Sequence, residues 1–253
     1  MSQSIPVSTT VRLTMTIIFT ALVCVATMVF SVYVPHTRGF FNIGETMIYT
    51  TALIFGPFIG AFAGGVGSMA ADIFLGYPYY APATLIIKAC EGGIVGVLGR
   101  KKVKFGSPLQ WKLFTLGVGL ISGILLGVVG SLYYSGSVQL SLGVPPPENP
   151  TSVIFIPPEF WYFLGALVIV LTTLMGFVFE PEFGWPVFTT FVGGSVMVMG
   201  YFIYQQFFLW PLFSIPVIAI AEIPVNIGQM IVGLIVSIPL VRAILRALPF
   251  LKP

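Results

Sequence analysis

The chain has 253 residues, of which 57% are hydrophobic and 8% charged, and its formal net charge is +3. An ordinary soluble domain is about 25% charged, so this composition excludes a soluble globular enzyme or a nucleic-acid-binding domain. At roughly 20 apolar residues per crossing, the length allows about six to eight membrane-spanning helices and almost no extramembrane domain.

The first predicted span runs from Leu13 to Val34. We interpret it as retained in the mature protein, because the residues before it lack the basic stretch of a signal peptide. Small side chains recur on it every three or four residues, which places them on one helix face. This face docks either another protein or another helix of the same chain. Its members are Thr16, Thr20, Cys24, Thr27 and Ser31.

Two further apolar segments, Glu45 to Phe55 and Ile59 to Leu75, are separated by Gly56-Pro57. Proline removes a backbone donor and disfavours a continuous helix, so a hairpin of two helices is preferred over a single kinked helix. Glycines recur at helical spacing along the second segment, which predicts close helix contact, either inside the chain or with a partner. They are Gly56, Gly60, Gly64 and Gly67.

Three more spans follow: Ala83 to Leu98, Leu113 to Tyr134 and Phe160 to Phe179. The polar, proline-rich stretch Ser135 to Pro158 lies between the last two of these. Its backbone groups have no intrasegment partners in lipid, so we expect it to form an extramembrane loop.

The last two predicted spans are Val187 to Phe208 and Ile215 to Leu245, the second broken by three prolines. The fold class is therefore an all-α integral membrane protein with about eight spans. Loops rich in Lys and Arg are usually cytoplasmic, and this rule places both termini in the cytoplasm and the stretch 135–158 outside the plasma membrane. The basic clusters are Arg100, Lys101, Lys102, Lys104 and Lys112, and then Arg242, Arg246 and Lys252.

Several charged residues lie within or at the ends of predicted spans, where each costs roughly 2.5 to 3.5 kcal/mol when unpaired at the bilayer centre. Lys88 and Glu91 are three residues apart on one helix face, so they form either a structural ion pair or part of a polar pocket. Glu222 and Asn226 flank Pro224 and form either ligand contacts or a network at a helix kink.

Aromatic and amide residues gather near the presumed outer ends of the spans. An aromatic belt at the lipid headgroups explains many of them. Their mixture with amides and acids also suits a pocket for a small heteroaromatic ligand. The predicted substrate contacts are Phe41, Asn42, Glu45, Tyr80, Lys88, Glu91, Tyr201, Gln205, Glu222 and Asn226.

Catalysis is not predicted. The chain has one histidine, which lies in a loop, and two cysteines inside spans, so neither a nucleophile with its base nor a metal site is expected.

Four motifs in order resemble the first half of the substrate-binding S components of energy-coupling factor (ECF) transporters, and two more resemble their last two helices. The likeness covers Leu13 to Arg100 and about Trp185 to Arg246. The motifs are Asn42-Ile43-Gly44-Glu45, Phe55-Gly56-Pro57-Phe58-Ile59-Gly60, Gly67-Ser68-Met69-Ala70-Ala71-Asp72, Lys88-Ala89-Cys90-Glu91-Gly92, Gly200-Tyr201-Phe202 and Glu222-Ile223-Pro224-Val225-Asn226-Ile227-Gly228-Gln229.

The resemblance implies a six-helix, vitamin-binding membrane subunit that joins a membrane coupling protein and two cytoplasmic ATPases, and needs no cofactor of its own. Within a single transmembrane domain, the core would be 13–100 and 185–246, with an inserted helical hairpin at 113–180 and its outer loop at 135–158. The coupling protein would meet Thr16, Thr20 and Cys24, although this family usually carries alanines there. The loop Phe40 to Glu45 would help to gate the pocket, near Tyr201 and Asn226.

Two other functions remain open from the sequence. One is a freestanding secondary transporter driven by protons or sodium through Asp72, Lys88, Glu91 and Glu222. The other is a membrane assembly subunit without a ligand.

Overall fold

The computed structural model describes residues 9–34, 37–101, 107–140, 152–178, 184–248 and 251. Helices dominate it, as predicted for an all-α membrane protein. The longer helices are α1 (Thr9–Val29), α2 (Glu45–Phe55), α3 (Pro57–Phe74), α4 (Ala81–Gly99), α5 (Pro108–Tyr133), α6 (Pro158–Val178), α7 (Gly184–Tyr204) and α9 (Glu222–Ala247), with the short α8 (Trp210–Phe213) between the last two.

Seven helical segments of the described chain are long and apolar enough to cross a membrane. Among the longer helices, α2 is too short to cross, because its 11 residues extend about 16 Å at 1.5 Å per residue, whereas the hydrocarbon core is about 30 Å thick. Gly56, with φ of +85°, ends α2, and Pro57 begins α3. The chain reverses there, since Gly60 of α3 packs against Ala52 of α2 so closely that a Cβ at position 60 would collide with it. The preferred interpretation, a hairpin of helices, is therefore correct.

The predicted first span is too long at its carboxyl end. Helix α1 ends at Val29, and the residues that follow form strand β1 (Ser31–Val34), which pairs antiparallel with β2 (Gly39–Asn42). Consecutive β-branched and aromatic residues in β1 favour this extended conformation. In the predicted loop 135–158, strands β3 (Gly136–Leu140) and β4 (Ser152–Ile156) also pair antiparallel. Residues 141–151 of that loop lie outside the described part.

The predicted eighth span is wrong at its start. After α7, a π-helical turn (Gln205–Leu209) leads into α8, residues 214–218 are irregular, and one 3-10 turn (Ala219–Ala221) precedes α9. Pro216 lies in the irregular segment, whereas Pro224 is in the first turn of α9, where its missing donor costs little. Contrary to the prediction, α9 continues through Pro239.

The glycine stripe of α3 packs inside the chain. A Cβ at Gly60 would also meet the carbonyl oxygen of Gly92 on α4, one at Gly64 would meet that of Lys88, and one at Gly67 would meet that of Thr20 on α1. These close approaches confirm the intrachain alternative and fix α3 between α1 and α4. A similar contact between Gly123 and Gly165 joins α5 to α6.

The pair α5 and α6 rests on the remaining helices through α5. Trp111 is buried against residues of α7 and α9, and the hydroxyl of Tyr134 donates to the carbonyl oxygen of Ala221 at 2.7 Å. Whether this pair is an insertion into a six-helix core stays a prediction.

The two ends of the bundle differ in chemistry. At the basic end, Arg100 donates to the carbonyl oxygen of Phe55, and Lys112 lies 4.5 Å from the ring centroid of Phe177. We call the opposite end, which carries the paired strands β1 and β2, the hairpin end. It consists of β1, β2, the loop 75–80 and the segment 205–218.

Candidate functional site

A small buried cavity lies at the hairpin end, among β2, α3, α4, α7 and α9. Its volume is about 30 Å³, which is room for about two water molecules. It is lined by Gly39, Phe40, Asn42, Asp72, Tyr80, Thr84, Lys88, Tyr201, Glu222, Asn226 and Gln229.

Lys88 connects this cavity to a buried cluster of acids. Its ammonium group pairs with the carboxylate of Glu45 and lies 3.2 Å from Oε2 of Glu91. The hydroxyl of Tyr49 donates to Oε1 of Glu91 at 2.9 Å. Glu45 and Glu91 are fully buried, so the cluster offsets charges that would otherwise be costly in the membrane. Lys88 therefore forms the ion pair predicted from the sequence and also lines a polar cavity.

A second polar group joins β2 to α9. Asn42 donates to the side-chain oxygen of Gln229 through its amide nitrogen and, at 3.2 Å, through its backbone nitrogen. Nε2 of Gln229 donates to Oδ1 of Asn226 at 2.8 Å. Three amides from two elements distant in sequence are thereby fixed on one wall of the cavity.

Two tyrosines form another part of the cavity wall. The hydroxyl of Tyr80 donates to the carbonyl oxygen of Thr37 at 2.6 Å, and Nε2 of Gln205 donates to it at 2.9 Å. Burial, followed by the nearby Glu222 carboxylate, raises the pKa of Tyr80 well above its ordinary value, so this hydroxyl keeps its proton. The hydroxyls of Tyr201 and Thr84 lie 2.9 Å apart.

Three lining residues carry a buried polar atom that has no hydrogen-bond partner among the described residues. These atoms are Oδ2 of Asp72, Oε2 of Glu222 and Nδ2 of Asn226. A buried polar group without a partner costs about 1 to 3 kcal/mol, and such a group in a native structure needs an explanation. Together they supply acceptors and a donor for a bound molecule.

The structure brings six of the ten predicted contacts to the cavity: Asn42, Tyr80, Lys88, Tyr201, Glu222 and Asn226. The other four lie beside it. Glu45 and Glu91 hold Lys88, Gln205 holds Tyr80, and Phe41 is half-buried against Gly228 of α9.

Five lining residues were not among the predicted contacts: Gly39, Phe40, Asp72, Thr84 and Gln229. Gln229 could have been predicted from the sequence, because it lies three residues after Asn226 and therefore on the same helix face. Gly39 shows no such pattern and reaches the cavity only through the β1–β2 pairing.

The predicted docking face of α1 is turned partly toward α3. Thr16 is buried, whereas Thr20 and Cys24 are half-buried. Ile17, close to Cys24 around the helix, is exposed, and so is Leu22 on the opposite side of α1. Part of this face is thus used within the chain, and its role in docking stays a prediction.

Comparison with known proteins assigns the family. The model of the family described as ECF-type riboflavin transporter, S component, matches residues 7–178. The chain is also 37% identical over 129 residues to an uncharacterized protein of Pyrococcus woesei, an alignment that covers 48% of this chain and 86% of that protein. The family match includes the segments that carry Asn42, Asp72 and Lys88, and it extends over more than half of the chain, which therefore belongs to the family of ECF-type riboflavin transporter S components.

Proposed function

We propose that this chain captures riboflavin, or a flavin-like vitamin, at the hairpin end and is the substrate-binding subunit of an ATP-driven importer. The observation that carries the proposal is the family match together with three polar atoms that lack a hydrogen-bond partner among the described residues and belong to residues lining one cavity. Flat apolar walls with a few polar groups are typical of sites for heteroaromatic ligands.

The hairpin end is proposed to face outside and the basic end the cytoplasm. Arg100, Lys101 and Lys112 lie at the basic end, and the excess of Lys and Arg in short loops marks the cytoplasmic side. Both termini are then cytoplasmic. A vitamin would reach the cavity from outside and would be released after ATP hydrolysis by partner subunits.

The cavity must widen when the ligand binds. Its volume of about 30 Å³ is well below the roughly 300 Å³ at which small-molecule sites begin. Phe40 and Asn42 of β2 line it, and β2 is held by a four-residue pairing with β1 and by the bonds of Asn42 to Gln229. We expect movement of the segment 39–45 to supply part of the space.

The proposed partners are a membrane coupling protein and two cytoplasmic ATPases, as the family match suggests. We propose that the coupling protein contacts the half-buried Thr20 and Cys24 and the exposed apolar residues beside them on α1. Helices associate in lipid through close packing of small side chains, which suits this part of α1.

The test is purification of the chain alone, followed by mass spectrometry of the released small molecules and titration with riboflavin monitored by quenching of flavin fluorescence. A bound flavin, or tight saturable binding, is expected. Absence of both would contradict the proposal. Uptake that persists in cells without the ATPase subunits would favour the secondary-transporter alternative instead.

A further inference from the structure

A second pocket, separate from the buried cavity, lies at the hairpin end. Its volume is about 260 Å³, close to the lower limit of roughly 300 Å³ for small-molecule sites. Its lining residues are Gln205, Gln206, Trp210, Pro216 and Val217. We call it the outer pocket.

Irregular backbone creates the outer pocket. The helix α7 widens into a π-helical turn at Gln205–Leu209, and Ser214, with φ of +55°, ends α8 in a left-handed conformation. The residues 215–218 then run without regular hydrogen bonding. Single π-turns in helices are frequently found at functional sites, and in a membrane protein irregular backbone is tolerated where it lines a cavity.

Gln205 connects the two spaces. Its side chain lines the outer pocket, while its Nε2 donates at 2.9 Å to the hydroxyl of Tyr80, which lines the buried cavity. Gln205 is 2% exposed, and its buried Oε1 has no hydrogen-bond partner in the described residues. This acceptor is buried, so a solute in the outer pocket reaches it only after the side chain of Gln205 moves.

On the side of β2, side chains near the cavity are joined by a hydrogen bond and a ring contact. The hydroxyl of Tyr79 donates to the carbonyl oxygen of Arg38 at 2.9 Å, and the rings of Phe40 and Tyr77 have centroids 4.9 Å apart. On the side of the outer pocket, Gln205 is bonded to Tyr80 of the cavity lining.

The chemistry of the outer pocket defines its occupant. None of the five lining residues carries a formal charge, and the indole ring of Trp210, 58% exposed, offers a face for stacking. The exposed Gln206 provides an amide donor and acceptor. A planar, uncharged ring system with hydrogen-bonding groups fits these properties.

We propose that the outer pocket is a second, weaker binding site for the planar ring of the vitamin, on its path into the buried cavity. This inference rests on the proposed function. A solute first stacks on Trp210 and hydrogen-bonds to the amide of Gln206. It then displaces Gln205 from Tyr80 and passes inward.

The test is stopped-flow measurement of riboflavin binding to the full chain in lipid nanodiscs. If a weaker site precedes the cavity, the observed association rate of the wild type will saturate as the riboflavin concentration rises. Val217→Trp fills the outer pocket and is expected to lower the association and dissociation rates by the same factor, at least tenfold, so that the Kd changes less than twofold. Ile218→Trp, at the neighbouring exposed position outside the lining, is the matched control.

A second variant avoids dependence on the folding of Val217→Trp. Trp210→Ala removes the stacking face and is expected to raise the half-saturating concentration at least fivefold, with little change in the limiting rate. A linear concentration dependence in the wild type, or wild-type rates in Val217→Trp, would overturn the role of the outer pocket while leaving riboflavin capture intact. Failure of the wild type to bind riboflavin would overturn both the proposed function and the role of the outer pocket.

Discussion

Gly92 of α4 lies directly against the carbonyl oxygen of Gly60 on α3, with no space for a Cβ between the two backbones. This contact fixes the distance between two helices that carry Asp72, Thr84 and Lys88 to the cavity. Because no side chain intervenes, the geometry of the site depends on backbone packing.

The variant Gly92→Ala is therefore expected to destabilise the protein by about 1 to 3 kcal/mol, the usual cost of overpacking. Gly93→Ala is the matched control, because its Cβ would lie at an ordinary 3.5 Å from Ala61. Both variants gain the same helix propensity, so their difference isolates the collision. Thermal unfolding in detergent measures it, and equal melting temperatures would show that the helices separate at no cost.

Replacing Lys88 by Met should destabilise the protein by about 3 to 5 kcal/mol, since Glu45 and Glu91 would remain buried without their cation. Lys112→Met, at the basic end, removes a cation near an aromatic ring and should cost about 1 kcal/mol or less. Adding Glu45→Gln to Lys88→Met should restore part of the stability. Denaturant unfolding tests the series, and a double variant no more stable than Lys88→Met would contradict the cluster.

Asn226→Ala removes an unpartnered donor from the cavity wall and the acceptor of Gln229. A hydrogen bond contributes about 0.5 to 1.5 kcal/mol, so riboflavin affinity should fall roughly twofold to tenfold. Glu222→Ala should weaken binding similarly. Ser237→Ala, buried farther along the same helix, is the control. Fluorescence titration measures the Kd, and unchanged affinity in both cavity variants would argue against this binding site.

Tyr80→Phe deletes the hydroxyl that joins Thr37 to Gln205. Amide hydrogen exchange in residues 37–42 should accelerate about fivefold, as expected for the loss of roughly 1 kcal/mol. In Tyr79→Phe the lost hydrogen bond is exposed, so water replaces it and the acceleration should be smaller. Equal exchange in the two variants would show that the Tyr80 hydroxyl does not hold this segment.

Thr20→Leu places a bulkier side chain on the half-buried face of α1. Riboflavin binding by the isolated chain should be retained, whereas ATP-dependent uptake in cells that contain the coupling protein and ATPases should fall at least severalfold, because close helix approach is obstructed. Thr14→Leu, the same replacement at an exposed position on another face of α1, is the matched control. Normal uptake in Thr20→Leu would exclude Thr20 from the docking surface.

Elements of the fold were predictable where local composition decides them. Apolar length predicted the spans, and Gly56-Pro57 marked a chain reversal because proline has no donor to continue a helix. The end of α1 and the start of α9 were not predictable by hydropathy. Val32 and Ile215 are as apolar as the helical residues before or after them, and only pairing with β2 or the turn at Ser214 separates them from the helices.

For the candidate site, the sequence by itself determined which side chains needed a partner, because an unpaired charge such as Lys88 or Glu222 is costly inside the membrane however the helices are arranged. Only the tertiary structure decided which partners they have. Lys88 meets Glu45 as well as Glu91, and Asn42 meets Gln229 across 187 residues, because backbone packing and strand pairing set distances that no local pattern encodes.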